Sequence, residues 1–217
     1  MEFHRDMLLL YAVTDRSWTG RQTLYDQIQA ALEGGVTMVQ LREKRLSTQA
    51  LVEEAVEIKE LCHRYHVPLI INDNVEAAVA SGADGVHVGI TDTPVAEIRK
   101  RAGGSFIIGA TAKTVAQAIA AEQAGADYLG VGAVFPSPTK QNAVRITLEQ
   151  LKQICSAVSI PAVAIGGIGR ENVAALAGGG MAGIAVVSAI FAEKNIQNAA
   201  AELKEMVRKV ASPWPIR

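Results

Sequence analysis

Short runs of apolar residues alternate with longer amphipathic stretches along the whole chain. The runs are rich in Val and Ile and apolar at successive positions, which is typical of strands covered on both faces of a parallel sheet. We predict eight strands, at 8–14, 36–41, 68–72, 85–88, 106–109, 127–131, 161–165 and 184–187. Helical spacing lies between them, for example at 23–33, 48–65, 115–124, 147–158 and 197–210. Eight strands that are each followed by a helix predict a barrel or a doubly wound sheet.

An internal repeat favours the barrel. Four times, a helical stretch ends on a glycine directly before an apolar run, at Gly35, Gly82, Gly125 and Gly180, with intervals of 47, 43 and 55 residues. Each interval holds two strand–helix units, as the rotational near-symmetry of a barrel requires. Gly at such a position ends a helix in a left-handed conformation. We therefore predict an α/β fold, a single-domain (β/α)8 TIM barrel over residues 1–217.

Composition narrows the function classes. Of the 217 residues, 49% are hydrophobic and 20% are charged, which is ordinary for a globular domain with a sizeable core. The 21 basic and 22 acidic residues give a net charge of −1, so no global field favours nucleic acid or an anionic membrane. The first apolar run is too short for a signal peptide or a membrane span. We expect a cytoplasmic protein that acts on small molecules, and a homo-oligomer remains an open option.

A basic strand end is the first candidate for chemistry, because barrels of this kind carry their sites in the loops after the strands. Gln40, Arg42 and Lys44 alternate at the end of the second run, so their side chains share one face. Two cations at the barrel mouth are unfavourable unless an anion meets them. We interpret these residues as a phosphate or pyrophosphate site. The alternative is a basic strand end that opens to solvent.

Two carboxylates end the third and fourth runs. Asp73 and Asp92 therefore belong to adjacent strands. Beside a pyrophosphate they suggest Mg²⁺, which takes one or two carboxylates together with phosphate oxygens and water. The alternative is that each aspartate caps the helix that follows it. Capping does not exclude metal binding, so Mg²⁺ is the predicted cofactor.

A second anion site is predicted at the last two strands. The turn 166–169 reads Gly-Gly-Ile-Gly after the seventh run, and Val187 and Ser188 end the eighth. In many barrels the backbone N–H groups at this pair of strand ends hold a phosphate. Glycine lets the main chain approach such a ligand closely, and the pairing of the two strand ends strengthens the prediction.

A loop after the sixth run contains Ser137, Thr139 and Lys140 and is longer than its neighbours. We predict a lid or binding loop. The alternative for Lys140 is an ordinary solvated lysine. His87 lies in the middle of the fourth run, and we interpret it as an interior residue with satisfied hydrogen bonds rather than a base.

Ordered motifs along the chain resemble the thiamine phosphate synthase family. They are YAVTD at 11–15, VQLREK at 39–44, LIIND at 69–73, GADGVHVG at 82–89, GADYLGVG at 125–132, TK at 139–140 and IGGI at 165–168. The resemblance implies a transferase of thiamine biosynthesis. In the family, hydroxymethylpyrimidine pyrophosphate first loses pyrophosphate to leave a carbocation. The nitrogen of hydroxyethylthiazole phosphate then attacks that carbocation and gives thiamine phosphate.

The resemblance also implies roles for individual residues. The residues that act on the departing pyrophosphate would be Arg42, Lys44 and Lys140. The pyrimidine pyrophosphate would be held by Gln40, Arg42, Lys44, Asn72 and Lys140, and Thr111 would be a further substrate-binding residue. The Mg²⁺ ligands would be Asp73 and Asp92. The thiazole phosphate would be received by Ser137, Thr139, Gly167, Val187 and Ser188.

Three positions depart from the family pattern. Asn74 stands where the family usually has Arg, and Ile90 stands where a Gln is common. Thr111 replaces a Ser but keeps the hydroxyl. The first two departures concern the surroundings of the metal and the contacts to the pyrimidine.

Three other hypotheses compete. A thiazole tautomerase-like relative has a histidine in the fifth strand loop and lacks the metal aspartate, whereas this chain has Lys113 and Asp73. A Schiff-base aldolase needs a desolvated lysine in the barrel, and Lys44 has Arg42 beside it. The third hypothesis is a non-catalytic protein that binds thiazole phosphate. The absence of Asp73 or Lys140 would favour it, but both residues are present.

Overall fold

The structure, a computed structural model, describes residues 1–20, 22–136 and 145–212. Eight parallel strands pair in chain order, and the last pairs with the first, so the sheet is a closed barrel. The strands are β1 Leu10–Val13, β2 Met38–Leu41, β3 Leu69–Asn72, β4 Gly85–Val88, β5 Ile107–Ala112, β6 Tyr128–Gly132, β7 Ala162–Ile165 and β8 Gly183–Val186. The predicted α/β barrel is confirmed.

Helices alternate with the strands and cover the outside of the barrel. They are α1 Leu24–Glu33, α2 Thr48–Arg64, α3 Val75–Ala80, α4 Val95–Ala102, α5 Val115–Gln123, α6 Leu148–Ala157, α7 Ser188–Phe191 and α8 Ile196–Val210. Polar side chains begin several of them. Ser47, Thr114 and Asn195 each accept a hydrogen bond from the backbone N–H three residues on, which satisfies a free donor of the first turn.

In the part of the chain that the structure describes, three 3₁₀ helices complete these elements, at Arg5–Leu8, Arg16–Trp18 and Val173–Leu176. The last of them follows β7, where the repeat pattern predicts a full helix, so this strand–helix unit is shorter than its neighbours. No helix within the described ranges is long and apolar enough to cross a membrane.

The four glycines of the internal repeat have the backbone conformation that the repeat requires. The φ angles of Gly35, Gly82, Gly125 and Gly180 are +89°, +65°, +94° and +82°. This left-handed region favours glycine because it has no Cβ. The repeat therefore marks the same local event four times, in which a helix stops and the chain turns into the next strand.

The core has two parts, which the alternation of side chains along each strand keeps apart. Leu10 and Ala12 belong to a large cluster between the strands and the surrounding helices. Tyr11 and Val13 belong to a smaller cluster inside the barrel. The N-terminal segment packs on this inner cluster, since the ring of Phe3 stacks on that of Tyr128 with 5.9 Å between centroids. The barrel is filled at that end, which leaves the carboxyl ends of the strands for a site.

Candidate active site

A cavity of about 410 Å³ opens at the carboxyl ends of the strands, where the sequence predicts the site. Every predicted site residue that the structure describes lines it, namely Gln40, Arg42, Lys44, Asn72, Asp73, Asp92, Thr111, Gly167, Val187 and Ser188. The remaining predicted residues, Ser137, Thr139 and Lys140, lie outside the described residues. The closed barrel thus brings together the ends of strands that are far apart in the sequence.

The basic edge of the cavity follows β2. Gln40, Arg42 and Lys44 all line the cavity, as their alternation predicts. The backbone N–H of Arg42 donates to Thr14 Oγ1 at 2.9 Å, which ties this segment to the end of β1. Lys44 is exposed at the rim, whereas the side chain of Arg42 is only 18% exposed. A strand end that simply opens to solvent therefore describes Lys44 better than Arg42.

Arg42 is held by a carboxylate from the neighbouring loop. Its Nη1 lies 3.3 Å from Asp15 Oδ2, and Asp15 Oδ1 accepts a hydrogen bond from the backbone N–H of Ser17 at 2.9 Å. Burial opposes ionisation of Asp15, but the hydrogen bonds from Ser17 and the charge of Arg42 outweigh it and lower its pKa. The guanidinium group therefore has an ionised partner that keeps it at the cavity wall.

The acidic edge of the cavity is formed by Asp73 and Asp92, whose carboxyl groups lie close enough to influence each other. Burial is the main cause that raises the pKa of Asp73, and the charge of Asp92 raises it further, while Lys44 opposes the shift. Asp92 Oδ2 also accepts from the backbone N–H of Gly89 at 2.7 Å. Two carboxyl groups thus lie together, and among the described residues Lys44 is the cation that lowers the pKa of Asp73.

The backbone of Asp73 has a φ of +60°, which is uncommon for a residue other than glycine. Its N–H donates to the His87 carbonyl oxygen at 2.9 Å, and this bond holds the end of β3 against β4. Strained backbone of this kind persists only where the surroundings determine it, and it concentrates at functional sites. The conformation places the Asp73 side chain in the cavity lining.

The alternative that both aspartates are helix caps is wrong. Asn74 caps α3, since its Oδ1 accepts from the backbone N–H of Ala77 at 2.8 Å. The residue before α4 is Pro94, which makes no side-chain cap. The carboxyl groups of Asp73 and Asp92 are therefore not used by helix N-termini.

The paired carboxyl groups fit a divalent cation by their chemistry, because Mg²⁺ prefers carboxylate oxygen and relieves the repulsion that raises the pKa of Asp73. Among the described residues, no group of three or more His, Cys, Asp or Glu side chains could hold a metal ion. Mg²⁺ usually completes its coordination with water and phosphate oxygens, so two carboxyl groups suit it.

Two of the departures from the family pattern lie beside the cavity. Asn74 donates from Nδ2 to Thr48 Oγ1 at 3.2 Å and so joins the start of α3 to the start of α2. Ile90 is 51% exposed. Neither of them is among the cavity-lining residues in the described part of the chain. Asn74 thus has a structural use, and nothing in the structure explains Ile90.

The opposite wall of the cavity contains the glycine-rich turn after β7 and the end of β8. Gly166 and Gly167 have φ angles of +102° and +64°, and a Cβ on Gly167 would collide with the Pro136 carbonyl oxygen. Asn172 fixes the turn, since its Nδ2 donates to the Gly167 carbonyl oxygen at 2.8 Å and its Oδ1 accepts from Gly169 N–H at 2.9 Å. The described residues of this wall that line the cavity carry no charge, in contrast to the basic and acidic edges.

Polar side chains inside the barrel form the floor of the cavity, and sequence reasoning gave them no role in binding. Tyr11 and His87 line it, and both ring nitrogens of His87 have hydrogen-bond partners, Tyr128 and Thr111. The interpretation of His87 as an interior residue with satisfied hydrogen bonds agrees with this. Tyr11 and Tyr128 could have been recognised in the sequence, because each is a polar aromatic residue within an otherwise apolar strand. Lys113 also lines the cavity.

Comparison with known proteins identifies relatives over nearly the whole chain. A family model described as thiamine monophosphate synthase matches residues 10–190. A thiamine-phosphate synthase of Ruminiclostridium cellulolyticum is 47% identical over 197 residues, which cover 91% of this chain and 94% of the relative. One of Clostridium acetobutylicum is 44% identical over 200 residues, 92% and 95% of the two chains. A solved thiamine phosphate pyrophosphorylase from Pyrococcus furiosus superposes with a TM-score of 0.88 at 37% identity, over 96% of this chain and 99% of the other.

Proposed function

The chain belongs to the thiamine monophosphate synthase family, and from this premise we propose how its cavity carries out the reaction. As a transferase of thiamine biosynthesis, it joins hydroxymethylpyrimidine pyrophosphate to hydroxyethylthiazole phosphate and releases pyrophosphate. The observation that carries the proposal is the cavity at the strand ends, which has a cationic edge, a carboxylate pair and a glycine-rich wall. Two phosphorylated substrates need two such anion sites close together.

The pyrophosphate of the pyrimidine substrate lies at the basic edge. Arg42 and Lys44 stabilise the negative charge that grows on pyrophosphate as its bond to the methylene carbon breaks. Arg42 suits this role because Asp15 already holds its guanidinium group at the cavity wall, so little reorganisation is needed. Lys140 would add a third cation. Gln40, Asn72 and Thr111 contact the pyrimidine ring.

Asp73 and Asp92 would hold Mg²⁺, which supplies positive charge to the leaving pyrophosphate when bound. The support for this is the pair of adjacent carboxyl groups, whose mutual repulsion a divalent cation would relieve. Lys44 lies close enough to lower the pKa of Asp73. The basic edge and the acidic edge therefore act on one ligand rather than two.

The thiazole phosphate lies against the opposite wall, at Gly167, Val187 and Ser188, with Ser137 and Thr139 on the loop that follows β6. Backbone N–H groups hold an anion without a competing counter-charge. The thiazole nitrogen needs no general base, because it is neutral, carries no proton and attacks with its free lone pair. This wall therefore contributes by positioning the thiazole next to the methylene carbon that it attacks. Correct positioning of two reactants substantially lowers the activation free energy of their reaction.

Other activities are not favoured. The tautomerase-like alternative expects a histidine in the loop after β5, where Lys113 lines the cavity, and the relatives reported above are synthases by name. A non-catalytic binding protein does not account for a carboxylate pair beside the basic edge. Homo-oligomer formation and a cytoplasmic location stay predictions.

The test is a product assay. Purified protein is incubated with both phosphorylated substrates and Mg²⁺, and thiamine phosphate is measured after chromatography. We expect thiamine phosphate and pyrophosphate in equal amounts, and neither when one substrate is left out. Absence of thiamine phosphate, with isomerisation of the thiazole in its place, would overturn the proposal.

A further inference from the structure

A continuous line of hydrogen bonds crosses the interior of the barrel. Gln40 Nε2 donates to the hydroxyl of Tyr11 at 2.7 Å, and that hydroxyl lies 2.8 Å from the hydroxyl of Tyr128. The Tyr128 hydroxyl lies 3.2 Å from His87 Nδ1, and His87 Nε2 lies 3.1 Å from Thr111 Oγ1. The five residues come from β2, β1, β6, β4 and β5. We call these side chains the interior relay.

The ends of the interior relay both line the cavity. They are Gln40 and Thr111, two of the residues that contact the pyrimidine ring in the proposed function. The middle is buried, since Tyr11 is 1% exposed and Tyr128 is 0% exposed. Burial also raises the pKa of both tyrosines, so each keeps its hydroxyl hydrogen at neutral pH.

The number of hydrogens couples the directions of the bonds in the relay. A hydroxyl has one hydrogen to donate, and a neutral imidazole has one N–H. With Gln40 Nε2 as the first donor, the arrangement that uses each hydrogen once has Tyr11 donating to Tyr128 and Tyr128 donating to His87 Nδ1. His87 then carries its proton on Nε2 and donates to Thr111.

The two ends of the relay are therefore coupled. Thr111 accepts from His87, so its hydroxyl hydrogen is available to a ligand acceptor. Gln40 uses an N–H within the relay, so its Oε1 is available to a ligand donor. If the amide of Gln40 rotated by half a turn, its oxygen would face Tyr11 and every bond of the relay would reverse. If only some of the bonds reversed, two donor hydrogens would point at each other, or a buried acceptor would have no donor.

We infer that the interior relay determines which ring the cavity accepts. It selects a heteroaromatic ring that offers an N–H donor to Gln40 and an acceptor nitrogen to Thr111. An aminopyrimidine has both groups, and its 4-oxo analogue presents an acceptor in place of the amino donor. Tyr11, Tyr128 and His87 are positioning residues that act through Gln40 and Thr111. The inference rests on the proposed function, because it concerns the ring of the pyrimidine substrate.

The decisive variant is Tyr128→Phe, which removes one hydroxyl from the middle of the relay and keeps the ring that stacks on Phe3. The kcat/KM values for the 4-amino and 4-oxo pyrimidine pyrophosphates give a selectivity ratio. We expect the wild-type ratio to fall at least tenfold in the variant, because Gln40 and Thr111 then orient independently. Intrinsic reactivity differences between the two substrates are the same in both proteins, so the change in the ratio reports the relay.

The matched control is Tyr25→Phe, whose hydroxyl bonds to Arg64 at the surface and should leave the ratio unchanged. A purely structural role of Tyr128 would lower kcat/KM for both substrates by the same factor, and an unchanged ratio would overturn the inference. If Tyr128→Phe does not fold, Tyr11→Phe cuts the relay one bond earlier and has the same two outcomes.

A second readout does not depend on turnover. Nitrogen-15 NMR of labelled wild-type protein should show His87 protonated on Nε2 alone, and Tyr128→Phe should move it towards a mixture of tautomers. A wild-type His87 protonated on Nδ1 would contradict the relay direction, even if the protein makes thiamine phosphate. Correct NMR spectra without thiamine phosphate would instead refute the proposed function and leave the relay standing.

Discussion

The wall of the cavity at β2–β4 and the wall at β7 and β8 suit anions by different means. The first wall carries Arg42, Lys44 and the carboxyl pair of Asp73 and Asp92, so its strength lies in side-chain charge. The second wall has uncharged residues around a turn at Gly167, where any Cβ would collide with the Pro136 carbonyl oxygen. A substitution can remove a charged group from the first wall. In the second wall, the turn at Gly167 is disturbed by a substitution that adds a side chain. The two walls should therefore fail under different substitutions and respond differently to Mg²⁺.

The largest effect is expected from Asp73→Ala and Asp92→Ala. Each should lower kcat in the presence of Mg²⁺ by about 100- to 1000-fold, the loss typical for removal of one electrostatic stabiliser of a transition state. The fold should be kept, because loss of one carboxyl relieves the repulsion within the pair. Steady-state kinetics and circular dichroism check the two parts. The control is Glu97→Ala, an exposed carboxylate on α4, and unchanged activity in both aspartate variants would remove the metal assignment.

A smaller and more selective effect is expected from Gly167→Ala. The residue has a φ of +64°, and its new Cβ would meet the Pro136 carbonyl oxygen, so the turn must shift at a cost of about 1–3 kcal/mol. At about 1.4 kcal/mol per factor of ten, a loss of that size in binding raises the KM for thiazole phosphate about 5- to 140-fold. The KM for the pyrimidine substrate should change much less.

Gly104→Ala is the control for this glycine, because no described atom lies within 4 Å of a Cβ at that position. An equal rise of both KM values in Gly167→Ala would contradict the separation of the two walls. Initial-rate kinetics with each substrate varied in turn distinguish these outcomes.

The smallest predicted effect is thermal stabilisation by Mg²⁺ alone, with its pH dependence. The pKa of Asp73 is raised in the fold, so the stability that its protonated form contributes is present at low pH and lost as the pH rises through the raised pKa. Mg²⁺ binds the ionised pair and should therefore stabilise the protein more at pH 7.5 than at pH 4.5. At 100 times Kd the gain is about 2.7 kcal/mol, or about 5–10 °C in Tm for a chain of this size.

Differential scanning calorimetry with and without Mg²⁺ measures this gain at each pH. Asp73→Asn should abolish it, because a neutral amide neither repels Asp92 nor binds Mg²⁺ strongly. A gain that stays the same in this variant, or that grows towards low pH, would show that Mg²⁺ stabilises the protein elsewhere.

The sequence was sufficient to predict the contents of these two walls, because strand ends in a barrel converge whatever their separation in the chain. A polar residue directly after an apolar run, such as Arg42 or Ser188, could therefore be placed at the mouth without knowledge of any contact. The left-handed glycines that close each quarter of the barrel were predictable for the same reason, since they are a local property of the chain.

The interior relay and the backbone conformation of Asp73 were beyond such reasoning. Tyr11 and Tyr128 are 117 positions apart, and their contact exists only once the barrel has closed. The left-handed backbone of Asp73 is likewise imposed by the bond of its N–H to β4. Asn74, rather than Asp73, proved to be the helix cap, because adjacent polar residues offer alternative caps that tertiary contacts decide.

The most direct test of the two-wall account measures the binding of pyrophosphate and of thiazole phosphate separately, each with and without Mg²⁺, by isothermal titration calorimetry. We predict that pyrophosphate binding weakens strongly when Mg²⁺ is left out, while thiazole phosphate binding is unchanged. Equal dependence of both ligands on Mg²⁺, or independence of both, would contradict the division of the cavity into a side-chain site and a backbone site.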